Sequence, residues 1–294
     1  MNLLEIQCFL SSKYTLYNLI ALILNCSVEF VLQAYKNAQL PAELSDVFAP
    51  DFMKAVAFWA AVYIVLHFIF NPVFKFVFPG TWASLKPSKQ KELSTYVLST
   101  SHHFVVVPIV LYSLVSDLVV FAHTHEPFEP GHLNAMYSNT GVLAFSVGFF
   151  FGDGIAYYIP ETLAGRPMYL FHHVLSIIVL SSTRSFSGIA LQALPHLLCV
   201  ELSTAFFNVA WLCRCLSGGK APTSLVSFLE LAFAISFFVF RIVNGTLTII
   251  LIRREVWQSS RLFLIAYVGI LLLQYFWFYK IIMSIFGGSR KKKE

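Results

Sequence analysis

The stretch that decides the fold is residues 261–286, which read RLFLIAYVGILLLQYFWFYKIIMSIF. Between Leu262 and Tyr279 this stretch contains no charged residue. The hydrocarbon core of a bilayer is about 30 Å thick, and a helix of about 20 apolar residues crosses it. Because backbone groups in lipid must be paired within their own segment, the stretch is predicted to be a transmembrane helix.

Six further apolar stretches precede this one along the chain. They are residues 55–78, 95–121, 137–159, 168–184, 189–214 and 225–250. Clusters of proline, glycine and charged residues separate them, as at residues 86–89 and 126–131. The fold class predicted from this pattern is all-α, a polytopic membrane protein with about seven transmembrane helices.

The composition of the whole chain agrees with a surface covered by lipid. Of the 294 residues, 57% are hydrophobic and only 12% are charged, whereas about a quarter of the residues in a soluble domain are charged. The net charge of +5 does not indicate a nucleic-acid partner, because four basic residues form one run at residues 290–293. The five cysteines form no CxxC pair, so neither a disulfide scaffold nor a zinc site is predicted from them.

The two ends of the chain carry separate signals. Residues 1–54 contain a weaker apolar stretch at 15–33, which is predicted to be an interfacial helix, with an extra span as the alternative. Lysine and arginine are more frequent in the loops on the side of the C-terminus, which predicts a cytosolic C-terminus. Residues 287–294 are then a basic cytosolic tail. Its last four residues, Lys-Lys-Lys-Glu, resemble a dilysine retrieval signal of the endoplasmic reticulum, and a basic anchor against anionic headgroups is the alternative.

Several polar residues fall inside the predicted spans, where they are expected to face the interior of the bundle. Six of them, from four helices, lie in one layer, roughly 6–12 Å from the predicted cytosolic boundary at about 1.5 Å per residue. They are His102, His103, Asp153, His172, His173 and Asn208.

The predicted catalytic residues of this layer are His172, His173, Asp153 and His102. Asp153 would fix the tautomer of His172 or His173, and His102 or His103 would support them. The histidine would deprotonate an amine or hydroxyl that attacks a thioester, and a covalent acyl-histidine is equally compatible with these residues. The alternative is a structural network in which the histidines and Asp153 satisfy each other.

A second polar set is predicted to bind lipid or to hold the structure. Glu201 and Arg241 differ in depth by about four residues, or roughly 6 Å, and they are predicted to pair. Asn208, His103 and His196, which follows a predicted kink, complete this set. No metal site is predicted.

Taken in order, these residues resemble the TLC domain family, which includes the ceramide synthases and the translocation-associated membrane proteins. The resemblance runs from Trp82 to Phe286. Its marks are the basic linker at 86–92, the stretch 97–102, Gly152-Asp153, His172-His173, the stretch 201–211 and the stretch 238–242. Residues 55–78 are then a first helix outside a TLC domain of residues 79–286. The resemblance implies that the six later helices enclose an interior cavity, which the histidine and aspartate layer faces.

One departure separates this chain from the ceramide synthases. Where the synthases carry a histidine-aspartate stretch and a second aspartate, residues 199–204 read Cys-Val-Glu-Leu-Ser-Thr. The chain is therefore closer to the non-synthase TLC domain-containing proteins.

Three functions follow from this resemblance. The first is a protein of the endoplasmic reticulum that acts in membrane lipid homeostasis by binding or sensing acyl lipids in an intramembrane cavity. The second is a ceramide-synthase-like N-acyltransferase that uses acyl-CoA as co-substrate and a sphingoid base as acceptor. The third is a transporter or translocation accessory. No cofactor is predicted. The expected partners are membrane lipids, with acyl-CoA and a second copy of the chain as further candidates and no nucleic acid.

Overall fold

The computed structural model describes residues 49–124, 141–186, 193–217 and 223–287. Within these ranges the chain is helical and contains no β-strand. The predictions for residues 15–33, for the loop at 126–131 and for the basic tail lie outside the described residues.

The helices are numbered here in chain order. The first half contains α1 (Pro50–Val77), α2 (Pro79–Ser84), α3 (Pro87–Thr124), α4 (Val142–Asp153), α5 (Ile159–Leu163) and α6 (Met168–Ser182). The second half contains α7 (Leu194–Leu198), α8 (Glu201–Leu216), α9 (Thr223–Ser236), α10 (Gly245–Ser259) and α11 (Arg261–Gly287). Two π-helical segments, Gly154–Tyr158 and Phe237–Asn244, join α4 to α5 and α9 to α10 without a break.

Among the described residues, six helical stretches are long and apolar enough to cross a membrane. They are Pro50–Val77, Pro87–Val115, Val142–Leu163, Leu194–Leu216, Thr223–Gln258 and Arg261–Ile285. Helix α6 is apolar but shorter, since its 15 residues extend over only about 22 Å. The chain is therefore a multi-pass integral membrane protein, and a seventh crossing at α6 stays a prediction.

Helix α10 corrects one predicted boundary. The sixth span was expected to end at residue 250, with a loop at 253–261. Instead the helix continues to Ser259. Ile252 and Val256 are one turn apart and buried at 2% and 0% exposure, while Arg253 and Arg254 are exposed. This amphipathic pattern extends the helix beyond its wholly apolar part.

Helix α1 packs closely against α4 because Gly148 and Gly152 lie one turn apart on the contact face. A Cβ atom on Gly152 would lie 2.7 Å from Cβ of Tyr63 and 2.8 Å from the backbone oxygen of Ala60. A Cβ atom on Gly148 would overlap the Cβ atom of Trp59. Small residues at this spacing let two membrane helices approach closely. The contact fixes the part of α1 that carries Tyr63 against α4, one turn before His67.

The outer faces of the helices are apolar. On α11, Leu262, Ile265, Leu272 and Tyr279 are each more than half exposed. A broad exposed apolar surface of this kind indicates contact with a membrane. The polar residues of the predicted spans must therefore be satisfied inside the bundle.

Candidate functional site

The centre of the site is Asp153, the last residue of α4, which is 1% exposed. Its Oδ1 atom lies 2.8 Å from Nε2 of His67, and its Oδ2 atom lies 3.0 Å from Nε2 of His173. The Thr95 hydroxyl donates a third hydrogen bond to Oδ1 at 3.3 Å. The π-helical segment begins at the next residue, Gly154. Such segments occur often at functional sites.

The outer nitrogens of the two imidazoles have different partners. Nδ1 of His67 lies 3.3 Å from the hydroxyl of Ser94, which can donate or accept. Nδ1 of His173 lies 2.9 Å from the backbone oxygen of Tyr169, which can only accept. Both ring nitrogens of His173 are therefore engaged within the protein, one by the carboxyl group of Asp153 and one by a backbone oxygen. Neither nitrogen is then left without a partner for proton abstraction.

A pocket of about 690 Å³ lies beside this pair. Its lining comes from α3, from α4 to α6 with the segments between them, and from α8, α9, the segment Phe237–Asn244 and α11. Seven of the predicted site residues line it. They are His103, Asp153, His172, His173, Glu201, Asn208 and Arg241. The closed six-helix cavity that the family resemblance implies stays a prediction.

The pocket has aromatic walls and a charged rim. The walls include Phe149, Phe150, Phe207, Trp211, Phe233, Phe237 and Trp277. The rim includes Lys89, Glu92, Glu161, Arg166 and Lys280. Glu161 pairs with Lys91 at 2.5 Å and with Arg166 at 2.8 Å, which joins the basic linker to the turn before α6.

His172 lies in the pocket without a carboxylate beside it. Its ring contacts those of Trp277 and Phe150, at centroid distances of 5.3 and 6.2 Å. Its Nδ1 atom has no hydrogen-bond partner within the described part of the chain. The predicted pairing with Asp153 is therefore made by His173, whereas His172 keeps a free ring nitrogen.

His102 does not line the pocket, although the sequence predicts it as a catalytic residue. It is fully buried, its Nε2 atom lies 3.0 Å from the hydroxyl of Ser146, and its ring stacks on Phe149 at 4.3 Å. His102 and His103 are neighbours on one helix, where successive side chains point about 100° apart, at 3.6 residues per turn. Only His103 therefore faces the pocket.

The predicted pair of Glu201 and Arg241 is wrong. Glu201 Oε2 lies 2.5 Å from Nε2 of His103 instead. Arg241 donates to the hydroxyl of Ser203 at 2.7 Å, to the hydroxyl of Thr204 at 2.5 Å and to Oε1 of Gln274 at 3.0 Å. Their depths could be counted along the chain, but the rotation of each helix about its axis decides which side chains meet.

His196 was expected to share this interior, and it does not. It is exposed, and its Nδ1 atom donates to Oδ1 of Asn244 at 3.2 Å. Pro195 lies in the first turn of α7, not at a kink inside a longer helix.

Several groups of the site were not predicted from the sequence, among them His67 and Ser99. His67 lies in the middle of the apolar helix α1, where any ionisable side chain indicates a polar partner. The sequence alone therefore points to His67. The hydroxyl of Ser99 accepts a hydrogen bond from Asn208 at 2.9 Å. A serine within a helix gives no comparable signal in the sequence, so this contact could not be predicted.

Apolar helices around buried carboxylate–imidazole pairs define an integral membrane protein with a polar intramembrane site. The family model for the TLC domain matches residues 92–283. The chain therefore belongs to the TLC domain family. Comparisons with curated proteins and with solved structures found no match.

Proposed function

We propose that this TLC domain protein binds an acyl lipid in the pocket and acts in membrane lipid homeostasis, in the endoplasmic reticulum. The aromatic walls are suited to an acyl chain, and the charged rim is suited to a polar headgroup. His172 lies among the aromatic lining residues, in contact with Phe150 and Trp277.

The proposal rests on the hydrogen bonds of Asp153 and His173, which are all made to groups of the protein itself. Both ring nitrogens of His173 face acceptors, and both oxygens of Asp153 accept from imidazoles. A general base needs a free lone pair within reach of the proton that it removes. These hydrogen bonds therefore favour a structural role for the pair, in the wall of a binding pocket, over a role in proton abstraction.

The second candidate is an acyl-CoA-dependent N-acyltransferase, and the free ring of His172 favours it. Acyl transfer through an acyl-histidine requires a nucleophilic imidazole nitrogen in the pocket. His172 has one, but no described carboxylate orients its ring. This reading therefore depends on His172 alone.

Binding is tested by mass spectrometry of the lipids that remain with the purified chain. His172→Trp places a larger ring in the pocket and should lower the amount of bound lipid several-fold. Leu251→Trp is the matched control, because Leu251 is 75% exposed on the outer surface. Equal lipid content in both variants and the wild type would show that the pocket holds none of it.

Catalysis is tested with labelled acyl-CoA and sphingoid bases. Under the binding proposal the wild type shows no turnover and keeps its lipid. Turnover that His172→Ala abolishes, while the Leu251→Trp variant keeps it, would replace the proposal by the acyltransferase.

The proposed location rests on the last four residues, Lys-Lys-Lys-Glu. Replacing Lys291 and Lys292 by alanine should move the protein beyond the endoplasmic reticulum. Unchanged localisation by fluorescence microscopy would remove this support.

A further inference from the structure

We propose that His102, His103 and Glu201 form a binding site for one divalent transition-metal ion. One ligand atom of each residue lies within 4.8 Å of the other two. His102 is 0% exposed, His103 is 2% exposed, and the Glu201 side chain is 12% exposed. The proposal does not depend on the lipid-binding function.

The first support is a buried nitrogen without a partner. Nε2 of His102 is engaged with the hydroxyl of Ser146, and within the described residues Nδ1 has no hydrogen-bond partner. Buried polar atoms are nearly always paired, and each exception requires an explanation. A metal ion at this nitrogen would supply the missing partner.

The second support is the orientation of His103. Its Nδ1 atom donates to the backbone oxygen of Ser99, one turn earlier on the same helix. A histidine that binds a metal typically donates its other ring nitrogen to a carbonyl or carboxylate, which fixes the tautomer. Nε2 of His103 therefore points at Glu201 in the form that a metal requires.

Nε2 of His103 and Oε2 of Glu201 are 2.5 Å apart, so the two groups that would bind the metal already face each other. A metal ion would take the place of this direct contact and would be held by two neutral imidazoles and one carboxylate. Arg241 donates its hydrogen bonds to Ser203, Thr204 and Gln274, so within the described residues it makes none to the carboxylate of Glu201.

The ligand types limit the metal. Two imidazoles and one carboxylate suit Zn²⁺ and similar first-row ions better than Mg²⁺ or Ca²⁺. Three protein ligands leave one tetrahedral position open. His103 and Glu201 line the pocket, whereas His102 does not, so the open position is expected on the pocket side of the ion.

The test is titration of the purified full-length chain with Co²⁺, which replaces Zn²⁺ and absorbs visible light when it is tetrahedral. The protein must carry no polyhistidine tag. We expect one strongly absorbing Co²⁺ per chain in the wild type. Glu201→Gln and His102→Phe should each weaken binding at least about 10-fold. The phenylalanine retains the stacking on Phe149 and removes only the ring nitrogens.

Two control variants separate this site from other histidines. His196→Ala removes an exposed histidine outside the cluster. A variant with His123, His125 and His132 all changed to alanine removes the histidines between the second and third predicted spans. Both controls should bind Co²⁺ like the wild type. Each variant is first shown to be folded by gel filtration in detergent and by its thermal unfolding transition.

Several outcomes would overturn the proposal. One is a wild type without tetrahedral Co²⁺ absorption at any tested concentration. Another is a signal that survives in folded His102→Phe and Glu201→Gln protein. A third is a signal that disappears only in the variant that lacks His123, His125 and His132.

Discussion

The Nε2 atom of His67 lies 2.8 Å from Oδ1 of Asp153, although 86 positions separate the two residues along the chain. His67 belongs to α1, which precedes the segment 92–283 that matches the TLC domain. The second imidazole partner of Asp153, His173, belongs to that segment. The buried carboxylate thus takes one imidazole from inside the family domain and one from outside it.

His67→Ala should destabilise the protein by about 1–3 kcal/mol, because a buried carboxylate loses one of its hydrogen-bond donors. The measurement is thermal unfolding in detergent, with His196→Ala as the control for loss of an exposed histidine. Asp153→Asn is then combined with His67→Ala. If the two effects simply add, the two side chains are not coupled and this account of the site is wrong.

Gly152→Ala should lower the unfolding temperature, since the new Cβ atom would overlap Tyr63 and Ala60 and separate α1 from α4. Overpacking of this kind typically destabilises a protein by about 1–3 kcal/mol. Gly80→Ala is the matched control, because a Cβ atom there meets nothing within 4 Å. An unfolding temperature that is equal in both variants would contradict the close packing of α1.

Arg241→Lys should also be destabilising, although the charge is kept. A lysine presents one ammonium group and cannot reproduce the three separate donations to Ser203, Thr204 and Gln274. Each hydrogen bond to a charged group contributes about 1.5–3 kcal/mol. Arg254→Lys, at an exposed position of α10, is the comparison. Equal unfolding temperatures would mean that the guanidinium network adds no stability.

Lys280→Gln should reduce the fraction of anionic lipid among the lipids that remain bound. Lys280 lies at the pocket, whereas Lys75 is exposed on α1 and is not part of the pocket lining. Lys75→Gln is therefore the control. The effect should weaken as salt is added, because exposed charges are screened. Mass spectrometry of the bound lipids measures both, and an unchanged lipid class would remove Lys280 from the headgroup site.

The fold could be predicted because lipid imposes one strong constraint, the length of an apolar helix. The first span was expected at 55–78 and is found at Pro50–Val77. The extension of α10 to Ser259 was missed, because its last turns are amphipathic and carry Arg253 and Arg254.

The site could be predicted only in part. Counting along the helices placed Asp153 and His173 at one depth, and they are indeed in contact. Depth does not give the direction of a side chain around the helix axis. For this reason the sequence paired Glu201 with Arg241 and directed His102 toward the pocket. Each of the two π-helical segments also changes how the residues after it are rotated about the helix axis. The positions of these segments could not be predicted from the sequence.

The contact between α1 and α4 has a consequence for how this family can be recombined. A chimera that joins residues 92–283 of this chain to the first helix of a relative would set a foreign helix against the glycine face of α4. Unless that helix also brings an imidazole to the height of His67, Asp153 would lose one of its two imidazole partners within the membrane. The smallest segment of this protein that could be transferred with its site intact therefore begins near Pro50, well before the family domain begins at residue 92.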